Sequence, residues 1–117
     1  MDRVLIISDW RDGPLSGVAY FGEELCIYEK IFSEEIDEYI DKYRLTYISK
    51  SEYVLIKKEW EKWVYAVKHK KHYNYEKANI ISVVAKKHNQ NNLIMSANFT
   101  GCVDKNGIPE NFYVEWF

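Results

Sequence analysis

The stretch Ile48-Ser49-Lys50-Ser51-Glu52-Tyr53-Val54-Leu55-Ile56-Lys57-Lys58-Glu59-Trp60-Glu61-Lys62-Trp63-Val64-Tyr65-Ala66-Val67-Lys68 reads as a well-started amphipathic helix. Ser49 and Glu52 form the Ser-x-x-Glu pattern of a capping box: the serine hydroxyl takes a free backbone N–H of the first turn, and the glutamate returns the favour. Ile48 and Tyr53 stand where a hydrophobic staple would clamp the entering chain. Behind them Ile56, Trp60, Trp63, Val64 and Val67 recur at helical spacing and predict one buried stripe. Lys57, Lys58, Glu61, Lys62 and Lys68 fall mainly on the other sides. A helix over about 50–70 follows, fading within His69 to Asn74.

On either side of this helix the pattern is that of strands. Arg3 to Trp10 carries the continuous apolar run Val4-Leu5-Ile6-Ile7, as a strand covered on both faces does. Arg11-Asp12-Gly13-Pro14-Leu15-Ser16-Gly17 has the composition of a loop. Val18 to Phe21, Leu25 to Phe32 and Arg44 to Ile48 read as further strands, with a turn at Gly22-Glu23-Glu24. After the helix, Ala78 to Lys87 predicts a second, shorter helix (about 77–88), with Ile80, Ile81, Val84 and Ala85 on its buried side. Leu93 to Val103 and Phe112 to Phe117 are strands, and Asp104-Lys105-Asn106-Gly107 is a turn between them. Residues 33–43 read two ways. Ile36, Tyr39, Ile40 and Tyr43 have helical spacing behind Ser33, whereas the crowded acids around them favour an ordered loop. The expected fold is one α+β domain over residues 1–117: an antiparallel sheet of five or six strands with the capped helix packed on it.

A chain of 117 residues has room for one such core and needs no metal or disulfide to hold it. Cys26 and Cys102 are far apart and beside apolar residues, which predicts two buried, reduced thiols. Val4 to Ile7 is too short for a signal-peptide core or a membrane span. The expectation is therefore a cytoplasmic protein that does not enter a membrane. The net charge of −2 hides an asymmetry, because acids dominate up to Ile56 and lysines dominate after it.

The run Asp12-Gly13-Pro14-Leu15-Ser16-Gly17-Val18-Ala19, entered from a hydrophobic strand, resembles the opening of a family of short bacterial proteins without an assigned activity. Tyr43-Arg44-Leu45, the Trp60 and Trp63 pair and the Val114-Glu115-Trp116 ending are similar to landmarks of that family. The resemblance implies a fold and little function. Where the family often has a histidine in its third strand, this chain has Cys26, which argues against imidazole chemistry.

No motif for a reaction stands out. There is no Gly-x-Ser-x-Gly elbow and no Gly-rich phosphate loop. His69 and His72 have a spacing that can share a metal, but Lys68, Lys70 and Lys71 repel a cation and no local carboxylate completes a shell. No metal and no cofactor are expected. The same basic segment, with Lys57, Lys58 and Lys62 upstream and Tyr65, Tyr73 and Tyr75 nearby, could meet nucleic acid. A sequence pI near 5.9 and only three arginines place that reading third.

Two surfaces remain. Asp9, Trp10 and Asp12 at the Gly-Pro loop, together with Arg44, are the expected small-ligand site if the chain is an enzyme or a ligand binder. Glu34, Glu35, Asp37, Glu38, Tyr39, Asp41 and Tyr43 form an acid and tyrosine set suited to a basic protein partner. There, charge speeds association and tyrosines supply contact energy. The preferred reading is a non-enzymatic protein-binding module, such as an immunity-type inhibitor. The ligand site is the alternative.

Overall fold

The computed structural model describes residues 1–72, 80–88 and 92–117. In these, seven strands and two helices follow in the order β1 (Asp2–Trp10), β2 (Pro14–Phe21), β3 (Glu24–Ser33), β4 (Glu38–Tyr47), α1 (Lys50–Lys68), α2 (Ile80–Lys86), β5 (Asn92–Met95), β6 (Ala97–Val103) and β7 (Pro109–Trp116). All pairings are antiparallel, in the spatial order β5-β4-β3-β2-β1-β7-β6. The outermost strands, β5 and β6, are separated in the chain by Ser96 alone. A sheet whose two edges are joined by one residue has to curl, and this one forms a half-barrel. Ser96 is the corner. Its backbone N–H and carbonyl pair with Phe117 at 2.8 and 3.0 Å, and its hydroxyl accepts the Lys42 ammonium at 2.7 Å.

The expected fold, a sheet of about five or six strands with the capped helix packed on it and a second shorter helix, is thereby corrected to a sheet-dominated half-barrel of seven strands with two helices. The undercount has two physical sources. The span Leu93 to Val103 looks like one strand because no Pro and no Gly before Gly101 interrupts its β-prone residues, yet it turns at Ser96 to serve two different neighbours. Residues 33–43 are neither helix nor acidic loop. β3 and β4 meet there in a hairpin whose turn covers 34–37, with Asp37 at φ 57°. Ser33 pairs with Glu38 and Phe32 with Tyr39, whose rings meet edge-on at 5.2 Å. The hairpin spreads the acids into solvent, where a helix would stack them a turn apart. The second helix ends at Lys86, two residues before the expected 88; residues 73–79, which include its expected start and part of the stretch where α1 was expected to fade, lie outside the described residues.

The two faces of the sheet bury two different cores. Inside the curl lie Val4, Ile7, Ala19, Cys26, Tyr28, Tyr43, Leu45, Phe112 and Val114, with Phe99 and Trp116 against them. Outside, Ile6, Val18 and Ile27 pack under Ile56 of α1 and Ile81, Val84 and Ala85 of α2. This explains the unbroken apolar run in β1. A bulge between Val4 and Ile6 puts Leu5 and Ile6 together toward the helices and returns Ile7 to the interior. The polar ends of the inner aromatics are satisfied by main chain: Tyr28 donates to Ile6 at 3.0 Å, Tyr43 to Pro14 at 2.6 Å and Trp116 to Tyr20 at 2.9 Å. Burial pushes the Tyr28 phenol well up and the Tyr43 phenol to about 12, so both stay neutral donors.

The capping box on α1 is formed. Glu52 N–H donates to the Ser49 hydroxyl at 3.1 Å, and Ser49 N–H donates to the Glu52 carboxylate at 2.8 Å. The stripe behind it is only partly core. Ile56 is buried, whereas Trp60 and Trp63 are half-buried. Of the two cysteines Cys26 is buried, with burial first and then Glu24 and Asp2 pushing its thiol up to about 12. Cys102 is exposed, contrary to the expectation of two buried thiols. No helix among the described residues is long and apolar enough to cross a membrane.

Candidate functional site

The strands and helices place two features on the same side of the molecule. One is a cleft of about 420 Å³ between the outer face of β1, β2 and β3 and the helices α1 and α2. The other is the β3–β4 hairpin, whose Tyr39 also lines the cleft.

The cleft floor follows in part from strand alternation. In β1, which bulges between Ile7 and Asp9, Ile6, Ser8 and Asp9 all line it. Val18 faces the helices, so Ser16 does, and from Ile27 the same period leads to Glu29. Apolar side chains near the helices thus give way to two hydroxyls and a carboxyl toward the cleft mouth. Ser8 and Ser16 share a hydrogen bond at 2.7 Å. Glu29 is half-buried, stands opposite Arg44 in β4, and forms no hydrogen bond or ion pair among the described residues. Burial is the largest influence on its carboxyl and raises its pKa above the ordinary 4.5; the Arg44 and Lys86 charges pull it down without cancelling that rise. Trp60 and Trp63 of α1 form the aromatic wall. The Trp60 indole N–H is buried with no acceptor among the described residues. Glu59 sits beside them and holds Lys62 at 3.0 Å.

Of the expected ligand site, only Asp9 lines this cleft, and its carboxylate accepts the Trp10 N–H at 3.0 Å. Trp10 leans instead on Phe112, with ring centres 6.3 Å apart, and is 50% exposed. The loop itself is tighter than its composition suggests. β2 begins at Pro14, leaving Arg11, Asp12 and Gly13 as the turn, with Asp12 at φ 53° and Gly13 at φ 127°. Asp12 is exposed at that turn and Arg44 is exposed on β4; neither lines the cleft with Asp9. Ser8, Ser16, Glu29 and the two tryptophans were not singled out as site residues from sequence. Glu29 had a readable signal, since it is the charged member of the otherwise apolar alternation Leu25, Ile27, Glu29, Ile31.

Of the expected partner surface, Glu34, Glu35, Asp37, Glu38, Tyr39 and Asp41 are exposed on or beside the hairpin tip. Tyr43 is not part of it: at 4% exposure it belongs to the interior core. The hairpin adds two apolar side chains the sequence reading passed over, Phe32 at 45% and Ile36 at 58% exposure. None of its five carboxylates forms an ion pair among the described residues. The described residues also contain no group of three side chains able to hold a metal ion. The basic stretch after α1 is exposed from Lys68 to His72, with His69 stacked on Tyr65 at 4.0 Å. Tyr73 and Tyr75 lie outside the described residues.

No protein-family model, no curated protein and no solved structure matches the chain.

Proposed function

We propose that the protein is a non-enzymatic binding module that uses the β3–β4 hairpin to capture a basic protein surface, in the manner of an immunity-type inhibitor acting in the cytoplasm. One observation carries the reading: five carboxylates on one short hairpin form no ion pair among the described residues and surround exposed Phe32, Ile36 and Tyr39. Unpaired acids repel one another, and exposed aromatics gain nothing from water. Both features suit an interface in which charge steers the encounter and a small apolar centre holds it.

The test is a comparison of two baits in host lysate, the native chain and Glu35→Lys/Glu38→Lys. A basic protein retained by the first and lost from the second supports the module. Retention of the same proteins by both removes the hairpin from the interface.

A further inference from the structure

The cleft beside the hairpin contains groups that the protein-binding reading does not use. Its volume of about 420 Å³ lies toward the small end of ligand pockets. What it offers restricts what it can hold. An anion would meet the carboxylates of Asp9, Glu29 and Glu59. An organic cation would find Glu29 already between the fields of Arg44 and Lys86, and Lys30 on the cleft wall. An apolar ligand would bury the Glu29 carboxyl with no hydrogen bond in return and leave the serine pair only its mutual one. A neutral ligand with several hydroxyls avoids all three penalties. Its hydroxyl hydrogens can go to the Glu29 carboxylate, which has no hydrogen-bond partner among the described residues, and its oxygens can accept from the serines. The apolar face of a sugar ring can lie against an indole, which is large, rigid and half polar.

We propose that this cleft binds a mono- or disaccharide, with Trp60 and Trp63 as the stacking wall and Glu29, Ser8 and Ser16 as the hydrogen-bonding floor. The site is built on β1, β2 and β3 and closed by α1, so the elements that frame the helix-side core also carry its polar groups. The part of the hairpin near its turn contributes Tyr39 at the rim.

The four tryptophan indole N–H resonances of the full chain provide the readout, titrated with glucose, galactose, mannose, N-acetylglucosamine and maltose. At least one sugar should shift the Trp60 and Trp63 signals saturably at about 1–100 mM, the range of weak ligands, and leave Trp10 and Trp116 unmoved. Glu29→Gln should weaken that binding about tenfold by removing a charged acceptor, and Ser16→Ala should weaken it less. Agmatine, inorganic phosphate and cyclohexanol serve as cation, anion and apolar comparisons. The proposal fails if no sugar gives a saturable shift, if agmatine or cyclohexanol binds more tightly than every sugar, or if Glu29→Gln leaves sugar affinity unchanged. Glu35→Lys/Glu38→Lys should bind the sugar as the native chain does, so the fate of the hairpin reading does not decide this one.

Discussion

Gly17 lies directly across from Tyr28 in the β2–β3 pairing, and the tyrosine hydroxyl fills the space that a side chain at position 17 would need. A Cβ there would collide with that hydroxyl and with the Ile6 carbonyl that accepts its hydrogen bond. The glycine therefore permits a close three-way contact between β1, β2 and β3; it is not needed for a turn. The contact also separates the cores, because Tyr28 belongs to the interior while Ile6 packs under the helices.

Gly17→Ala should destabilise the fold by about 3 kcal/mol or more, since overpacking against main chain cannot relax and the Tyr28 hydrogen bond is displaced as well. Tyr28→Phe, which loses only the bond, should cost about 1–3 kcal/mol. Urea unfolding of both variants checks the order; a milder effect for Gly17→Ala than for Tyr28→Phe would contradict the collision.

How much of this was legible depends on whether the deciding signal is local. The start of α1 is written in four residues, Ser49 to Glu52, because capping is settled within one turn. The bend at Ser96 is not local. It exists because 92–95 pair with β4 and 97–103 with β7, and Ser96, one of several small or polar residues in 93–103, carries no turn signal that marks where one partner hands over to the other. The hairpin at 34–37 was hidden by coincidence, since Ile36, Tyr39, Ile40 and Tyr43 satisfy helical spacing while Tyr43 is drawn into the interior by the strand. The cleft was legible only in part. Asp9 and Trp60 stood out by type, but their relation needs the distance between β1 and α1, which tertiary packing sets.

Ile56 and Trp63 separate core from cleft on the same helix. Ile56 is 1% exposed between sheet and helix, so Ile56→Ala should cost about 2–5 kcal/mol. Trp63 is half-buried on the cleft wall, so Trp63→Ala should fall below the roughly 3–5 kcal/mol of a fully buried tryptophan. Denaturant melts giving Trp63→Ala the larger loss would move the helix axis and close the cleft.

The cap predicts an acid-side loss of stability. Burial alone would raise the Glu52 carboxyl, but the Ser49 backbone N–H, His88 and the Ser49 hydroxyl together outweigh it and hold the group below the ordinary 4.5. His88 lies 2.7 Å from the other carboxylate oxygen and ties the end of α2 to the start of α1. A depressed carboxyl stabilises the fold above its unfolded pKa, and the gain is lost as pH falls through the folded value. Glu52→Gln should therefore lower the melting temperature at pH 7 and converge with the native chain as pH falls through the depressed folded value. Ser49→Ala should cost about 1 kcal/mol at neutral pH. Parallel curves for Glu52→Gln and native chain down to strong acid would contradict the assignment.

Glu29 has the opposite sign. Its folded pKa is raised, so the folded chain holds that proton more tightly than the unfolded chain does. Stability from this group is greatest at low pH and declines as pH rises from about 4.5 through the raised value. Glu29→Gln should melt higher than the native chain at pH 7 and lose that advantage below pH 4.5. A variant that melts lower at pH 7 would mean Glu29 is structural.

The hairpin separates electrostatic steering from contact, and the two should appear in different rate constants. Glu35 and Glu38 are exposed and unpaired among the described residues, so reversing both to lysine removes repulsion without breaking an ion pair. The melting temperature should stay the same or rise slightly. Association with a basic partner should slow about tenfold or more at low salt, and the gap should shrink as salt approaches the screening regime. Ile36→Ala acts on the apolar centre instead. It removes contact area without charge, so it should leave association nearly unchanged and speed dissociation. Phe32→Ala is a less clean probe, because Phe32 also packs edge-on with Tyr39 and helps fix the hairpin. If the double reversal associates at the native rate at every salt concentration, the acids do not steer. If Ile36→Ala slows association and spares dissociation, the apolar centre is not the contact.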